Sequence, residues 1–386
     1  MDYWEVIEAL YNTTFSLFFF LLAMVMFFIA RKGYKSNNRY GSVSTSLTAI
    51  LFIVFGYFNS VRHFFPFPYS GFFVWWIGFN IIFNVLFFWM IKRVKKKFVL
   101  KNENISTVRE INERKSILER YVLKMTKENP YREDISLKME YIRKSFHLMG
   151  LLILLAYYGF FFIPPVTQLI SDGVILLIQQ IEPSYNFLWG SIYPPDFPYV
   201  MGDPRAIIDL TMMALIGSLV FALVSDVIRI IWGPEYSIFN FLTRSMLRNK
   251  ELNAAGPQIY IITGFVFSYM LYMIGVIDIL VFFAGIIIAC LSDASAALIG
   301  RKYGKHKIKF RKRGIKSLEG FLAGTIVAYI IGLIFVGPIY AIIGAVIFFM
   351  TDYFPTYTAD NILNPIFIPI GIQLFIFLLG LPIGWF

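Results

Sequence analysis

The sequence predicts an all-α, polytopic integral membrane protein of about ten transmembrane helices, on three observations. Of its 386 residues 58% are hydrophobic, 15% are charged and 42 are phenylalanine, whereas soluble domains stand nearer ~45–50% apolar and about 25% charged. Mean hydropathy is +0.66, which excludes a water-soluble chain. Apolar runs long enough to cross ~30 Å of hydrocarbon as a helix recur throughout. The cations gather on alternate connections between those runs.

In order, the runs are 15–30, 47–64, 72–91, 147–164, 206–225, 257–277, 279–299, 318–336, 338–351 and 365–385. The ninth is short for a span and reads as tilted or partly re-entrant. If Met1 lies outside and every run crosses, the loops 31–46, 92–146, 226–256, 300–317 and 352–364 share one side. Those loops hold 33 of the 35 Lys and Arg residues, leaving only Arg62 and Arg205 on the other. This asymmetry follows the positive-inside rule, so the basic loops are expected in the cytoplasm and both termini outside. A cleaved signal is not expected, because Met1–Thr14 carries Asp2, Glu5 and Glu8 and no cation, the reverse of a basic leader.

Three parts follow. Residues 1–91 form a three-span module with almost no ionisable residue inside its spans. Residues 92–139 form a charged cytoplasmic linker, helical over 108–127, and 140–386 form a seven-span domain whose cytoplasmic ends are rich in ionisable groups. The outer loop 165–205 is proline-rich and includes a short apolar stretch suited to an interfacial helix. Cys290 stands alone in an apolar run, which excludes a disulfide framework and a cysteine-based zinc site. Three histidines (His63, His147, His306) make a histidine-rich metal site unexpected.

Ionisable residues near membrane depth are costly and so mark candidate sites. Five groups stand out. Glu140, Arg143, Lys144 and His147 share one helical face at offsets of 0, 3, 4 and 7, where the fourth run enters lipid. Asp226 and Arg229 end the fifth run, followed by Arg248, Lys250, Glu251 and the Gly256-Pro257 break. Asp293 sits among Ser292, Ala294, Ser295, Ala296 and Ala297, before Gly300, Arg301, Gly304 and Lys305; residues 301–316 carry nine cations and no acid. Lys316, Ser317, Glu319 and Gly320 open the eighth run, with Ser317 placed to cap it. Asp360 and Asn361 precede Asn364-Pro365, which reads as the cap and start of the last helix. Each group has a structural alternative: snorkelling cations, an internal ion pair, a lipid-docking loop, a plain N-cap or a turn.

The third group has the composition a metal-bound polyphosphate needs. Cations meet phosphate oxygens, glycine-turn N–H groups meet bridging oxygens, and a carboxylate holds Mg²⁺. Gly300-x-x-x-Gly304-Lys305 is not a P-loop, being one residue short, followed by His306 and preceded by a membrane helix. On this reading the missing negative charge of 301–316 belongs to a bound triphosphate.

The ordered set over about 136–386 resembles the CTP-dependent lipid kinases: dolichol and polyprenol kinases, phytol kinase and CTP-using diacylglycerol kinases, in a superfamily shared with membrane cytidylyltransferases. The residues carrying it are E-x-x-R-K-x-x-H from Glu140, Asp226 with Arg229, Arg248-x-Lys250-Glu251, Asp293 through Lys305, Lys316-Ser317-x-Glu319-Gly320 and Asp360-Asn361. Ser292 departs from the glycine often found before the central aspartate. Asp352 is the only acid that can match the one expected ahead of Asp360. The acid-rich signature of the cytidylyltransferases after that aspartate is absent, and the first three spans have no part in the resemblance.

The resemblance implies transfer of the γ-phosphate of CTP, with Mg²⁺ or another divalent metal, to a long-chain lipid alcohol. An isoprenoid alcohol such as dolichol or polyprenol is the first expectation and diacylglycerol the second. The site would face the cytoplasm from a cell membrane, or from the endoplasmic reticulum membrane in a eukaryote. Asp293, Asp226, Glu319 and Asp360 are the implied metal ligands. Arg143, Lys144, Gly300, Arg301, Gly304, Lys305, Lys316 and Ser317 would bind phosphate, with Asp293, Lys316, Asp226 and His147 as catalytic candidates. Glu140, Arg229, Arg248, Glu251 and Asn361 complete the site. The expected partners are the bilayer, the alcohol and the nucleotide, with no nucleic acid. A membrane cytidylyltransferase and a non-enzymatic transporter or scaffold for anionic lipids are the alternatives.

Overall fold

A computed structural model describes residues 3–65, 69–102, 116–127, 131–132, 136–138, 140–142, 144–145, 148, 151, 176, 180, 204–243, 247–248, 251–310, 314–354 and 356–384. Most of the run 147–164 and of the loop 165–205, and Arg143, His147 and Lys250, lie outside them. The described chain is mostly helical. Its long helices are α1 (Tyr3–Lys35), α2 (Arg39–Arg62), α3 (Tyr69–Asn102), α5 (Pro204–Trp232), α8 (Ile279–Tyr303), α9 (Leu318–Val336) and α11 (Asp360–Leu379). Each of these contains a stretch long and apolar enough to cross a membrane, making seven among the described residues. Between them lie α4 (Ile117–Lys127), α6 (Ile238–Thr243), α7 (Pro257–Met273) and α10 (Pro338–Tyr353). At 17 and 16 residues, α7 and α10 are shorter than the ~20 residues of a perpendicular span.

The spanning helices are apolar on nearly every side. One side packs inward and another leaves residues such as Leu17, Ile82, Ile326 and Phe377 exposed, the arrangement of helices facing lipid. α1 and α2 pair along their length, α3 leans on α5, and α7, α8, α9, α10 and α11 form a second bundle joined to the first through α2 and α7. An aromatic core of Phe15, Phe19, Phe55, Phe65 and Phe73 binds α1 to α2 and α3, with ring centroids 4.6–6.4 Å apart.

Three local features differ from the expectations above. The last helix begins at Asp360, so Pro365 and Pro369 stand inside it. Both rings seat against helix glycines, where a Cβ would come within 2.9 Å of Pro365 at Gly264 and 2.6 Å of Pro369 at Gly285; that packing holds the helix through its missing N–H groups. The basic segment after α8 is a hairpin, β3 (Lys307–Phe310) against β4 (Gly314–Ser317), as the alternation Lys-Ile-Lys-Phe favours. A second small pairing joins β1 (Tyr131–Arg132) to β2 (Leu247–Arg248) in parallel. In the linker, only α4 of the expected 108–127 helix falls within the described residues. It docks through the Tyr121 hydroxyl, which donates to the Pro234 carbonyl at 3.0 Å. Burial raises the Tyr121 pKa well above the ordinary phenol value.

Candidate active site

One end of the bundle holds a cavity of about 740 Å³. Its longest wall is a single face of α8: Asp293, Ala296, Ala297, Gly300, Arg301 and Gly304 line it, spaced as neighbours on a helix surface. The alanines keep that face low around Asp293. Lys316, Ser317, Gly320 and Phe321 contribute a second wall from the end of β4 and the first turn of α9. Asp352 closes it from the end of α10, and Asp360 and Asn361 from the first turn of α11. Glu140, Lys144, Arg248 and Glu251 supply a further side.

Ion pairs order these groups. The Lys144 ammonium donates to the Asp293 carboxylate. Glu140 is buried and receives Arg248 Nη2 at 2.7 Å and Arg301 Nη2 at 3.4 Å. Lys316 donates to the Asp352 carboxylate and, at 2.9 Å, to the Asp352 carbonyl, while Asp360 stands 4.0 Å from the same ammonium. The described lining therefore holds five cations (Lys144, Arg248, Arg301, Lys307, Lys316) and five carboxylates (Glu140, Glu251, Asp293, Asp352, Asp360). Carboxylates from distant segments thus balance two of the nine cations of 301–316, Arg301 and Lys316, within the fold.

Twelve of the residues to which the resemblance assigns a site role line this one cavity: Glu140, Lys144, Arg248, Glu251, Asp293, Gly300, Arg301, Gly304, Lys316, Ser317, Asp360 and Asn361. Four do not. Asp226 and Arg229 form a buried clasp, in which Arg229 Nε donates to Asp226 at 2.5 Å and the guanidinium also reaches the carbonyls of Glu251 at 3.1 Å and Ala254 at 2.6 Å. The second Asp226 oxygen accepts the Gly256 N–H at 2.6 Å, so this carboxylate is committed to protein donors. Glu319 accepts the His306 N–H at 3.0 Å and pairs with the exposed His306 ring at 2.8 Å. Lys305 is exposed, and Lys307 takes the cavity position instead.

The glycine turn also serves differently from expectation. Gly304 N–H donates to the Gly300 carbonyl at 3.2 Å to finish α8, and a Cβ there would meet that carbonyl at 2.2 Å. Close packing, with the N–H already engaged, is what requires the glycine. Ser317 caps α9 by accepting the Gly320 N–H at 3.2 Å, and donates to the Gly300 carbonyl at 3.2 Å. Its hydroxyl thus fastens the two main walls together.

Asp352 and Asp360 fit a hard divalent cation. Both are oxygen donors and both approach one cationic centre, the Lys316 ammonium, as ligands of Mg²⁺ would. Asp293 faces the same cavity, whereas the committed oxygens of Asp226 and Glu319 do not fit. Among the described residues no three His, Cys, Asp or Glu side chains gather as a preformed metal cluster. Tyr40, Tyr260 and Lys307 are lining residues that sequence reasoning missed. The strand alternation of Lys307 was a usable signal; Tyr40, in a module far away in sequence, offered none. No protein-family model, curated protein or solved structure matches the chain.

Proposed function

We propose that this cavity transfers the γ-phosphoryl of a nucleoside triphosphate, CTP by the motif resemblance, to the hydroxyl of a long-chain lipid alcohol at the cytoplasmic face of the membrane. The observation that carries the reading is the convergence of twelve separately chosen residues on one charged cavity at the end of an apolar bundle. The proposed topology has ten crossings with both termini on the far side. A shared side for the basic loops draws support from Lys32, Arg229, Arg248, Arg301 and Lys316, which reach Ile230, Glu251, Glu140 and Asp352 on other segments.

Arg301, Lys307, Lys316 and Lys144 hold the phosphate oxygens in this reading, and Asp293 accepts the alcohol proton. Asp352 and Asp360 would hold a divalent ion, whose chemistry there would be charge neutralisation. A balanced lining favours a triphosphate that carries its own cation over a bare one, since about half of the anionic charge is then cancelled before entry. The alcohol oxygen forms its bond to the γ-phosphorus as the bond to the β–γ bridging oxygen breaks. The proton passes to Asp293 and the nucleoside diphosphate leaves. Positioning and charge neutralisation carry most of the catalysis in such a transfer. The lipid tail remains among the spans, with only its hydroxyl raised to the cavity.

The test is transfer of label from γ-labelled CTP or ATP in detergent, with isoprenoid alcohols set against diacylglycerol. The expected result is a labelled lipid with CTP and an isoprenoid alcohol. A protein that labels none of these alcohols with either nucleotide contradicts the reading.

A further inference from the structure

The three-span module contributes more than an anchor. Asn38 caps α2 by accepting the Gly41 N–H at 3.0 Å and donates to the Leu252 carbonyl at 2.7 Å. Gly41 approaches Ala254 so closely that a Cβ would stand 2.5 Å from the alanine methyl. One turn further, Ser44 and Thr45 are both fully buried. Ser44 Oγ donates to the Tyr40 carbonyl at 2.9 Å and accepts the Ala359 N–H at 2.9 Å. Thr45 Oγ1 accepts the Ala255 N–H at 3.1 Å and lies 3.0 Å from the Tyr260 hydroxyl, which reaches the Gly41 carbonyl at 3.4 Å. These two adjacent hydroxyls therefore hold two segments that are about a hundred residues apart in sequence and both end in the cavity. Ala359 precedes Asp360 and Asn361. Ala255 follows Glu251 and precedes Pro257, and all five of these cavity residues sit within four residues of a held amide.

We infer that Ser44 and Thr45 are positioning residues, and that the first two turns of α2 set the distance between the 251–257 and 359–361 walls of the cavity. A hydroxyl that accepts an otherwise orphaned backbone N–H cannot be replaced by a methyl without leaving that amide unpaired in a buried setting. The segment it held is then free to open locally, at a cost well below that of global unfolding. Tyr40, which lines the cavity from one turn earlier and whose carbonyl accepts from Ser44, moves with it. The positioning stands on geometry; its consequence for nucleotide binding rests on the proposed function.

The experiment uses the full-length protein in detergent, as wild type, Ser44→Ala, Thr45→Val and Thr45→Ser. Backbone hydrogen exchange is followed in peptides covering 251–257 and 357–363, beside thermal unfolding and the KM for CTP. Thr45→Val is expected to raise exchange about ten-fold in 251–257, and Ser44→Ala to do so in 357–363, with unfolding midpoints near wild type. Thr45→Ser, which keeps the hydroxyl, stays within about three-fold of wild type. In the same variants KM for CTP rises about ten-fold while kcat changes less than about three-fold, and Thr45→Ser restores it. Unchanged exchange in both segments, or a Thr45→Ser variant as impaired as Thr45→Val, overturns the inference. Collapse of the fold in either hydroxyl-deleted variant also overturns it, in favour of a purely structural role. A wild type that phosphorylates no lipid contradicts the proposed function alone, because the exchange measurement still decides the positioning.

Discussion

Two aspartate–cation pairs at the same end of the bundle differ in how fully the protein itself completes them. In the clasp, Asp226 and Arg229 have side chains 3% and 0% exposed, and backbone groups of the 251–256 loop saturate both. In the cavity wall, Asp293 and Lys144 are 16% and 7% exposed and open onto about 740 Å³ of space. Residue type is nearly the same in the two places. The difference lies in what surrounds them: one pair has every partner supplied by the protein, and the other faces room for a ligand to supply more.

Mutation sharpens the comparison, and the largest effect belongs to the clasp. Arg229→Met strands the Asp226 carboxylate in a buried site, and loss of one partner of such a pair costs about 3–5 kcal/mol. Denaturant unfolding is expected to show that loss, with activity falling alongside it. Asp293→Asn should do the opposite: an unfolding midpoint near wild type and a fall of about 10³-fold in kcat, if its carboxylate takes the proton. Near-wild-type turnover by that variant removes Asp293 from the chemistry. Lys316→Met is expected to cost about 100-fold in kcat/KM for the nucleotide. Adding Asp352→Asn to it should recover stability without recovering activity, since the neutral amide no longer needs the ammonium. Glu319→Gln is the smallest change, because an amide oxygen still accepts the His306 N–H. Unfolding is expected to shift by less than about 1 kcal/mol and kcat by less than about three-fold.

Much of this was legible in the sequence, for reasons that specific residues make plain. The run 318–336 coincides with α9, because Ser317 and Gly337 punctuate an uninterrupted apolar stretch. The α8 face from Asp293 to Gly304 follows from helical spacing alone. The commitment of Asp226 could not be read, because its partners include backbone groups of a loop 25–30 residues further on. The helical Pro365 and Pro369 escaped notice for a similar reason: the glycines that admit their rings lie on α7 and α8. Propensity speaks of neighbours in sequence, whereas each of these outcomes was set by contacts between helices. The balance of charge in the cavity belongs to the same class, since Glu140 and Asp352 reach Arg301 and Lys316 from other segments.

The most direct test of the central claim is to ask which phosphorus of CTP moves. Purified protein, Mg²⁺ and an isoprenoid alcohol are incubated in parallel with CTP labelled at the α- or the γ-phosphate. The account predicts γ-label in the lipid and α-label in released CDP. Label from the α-phosphate in the lipid, with pyrophosphate released, would contradict it in favour of cytidylyl transfer.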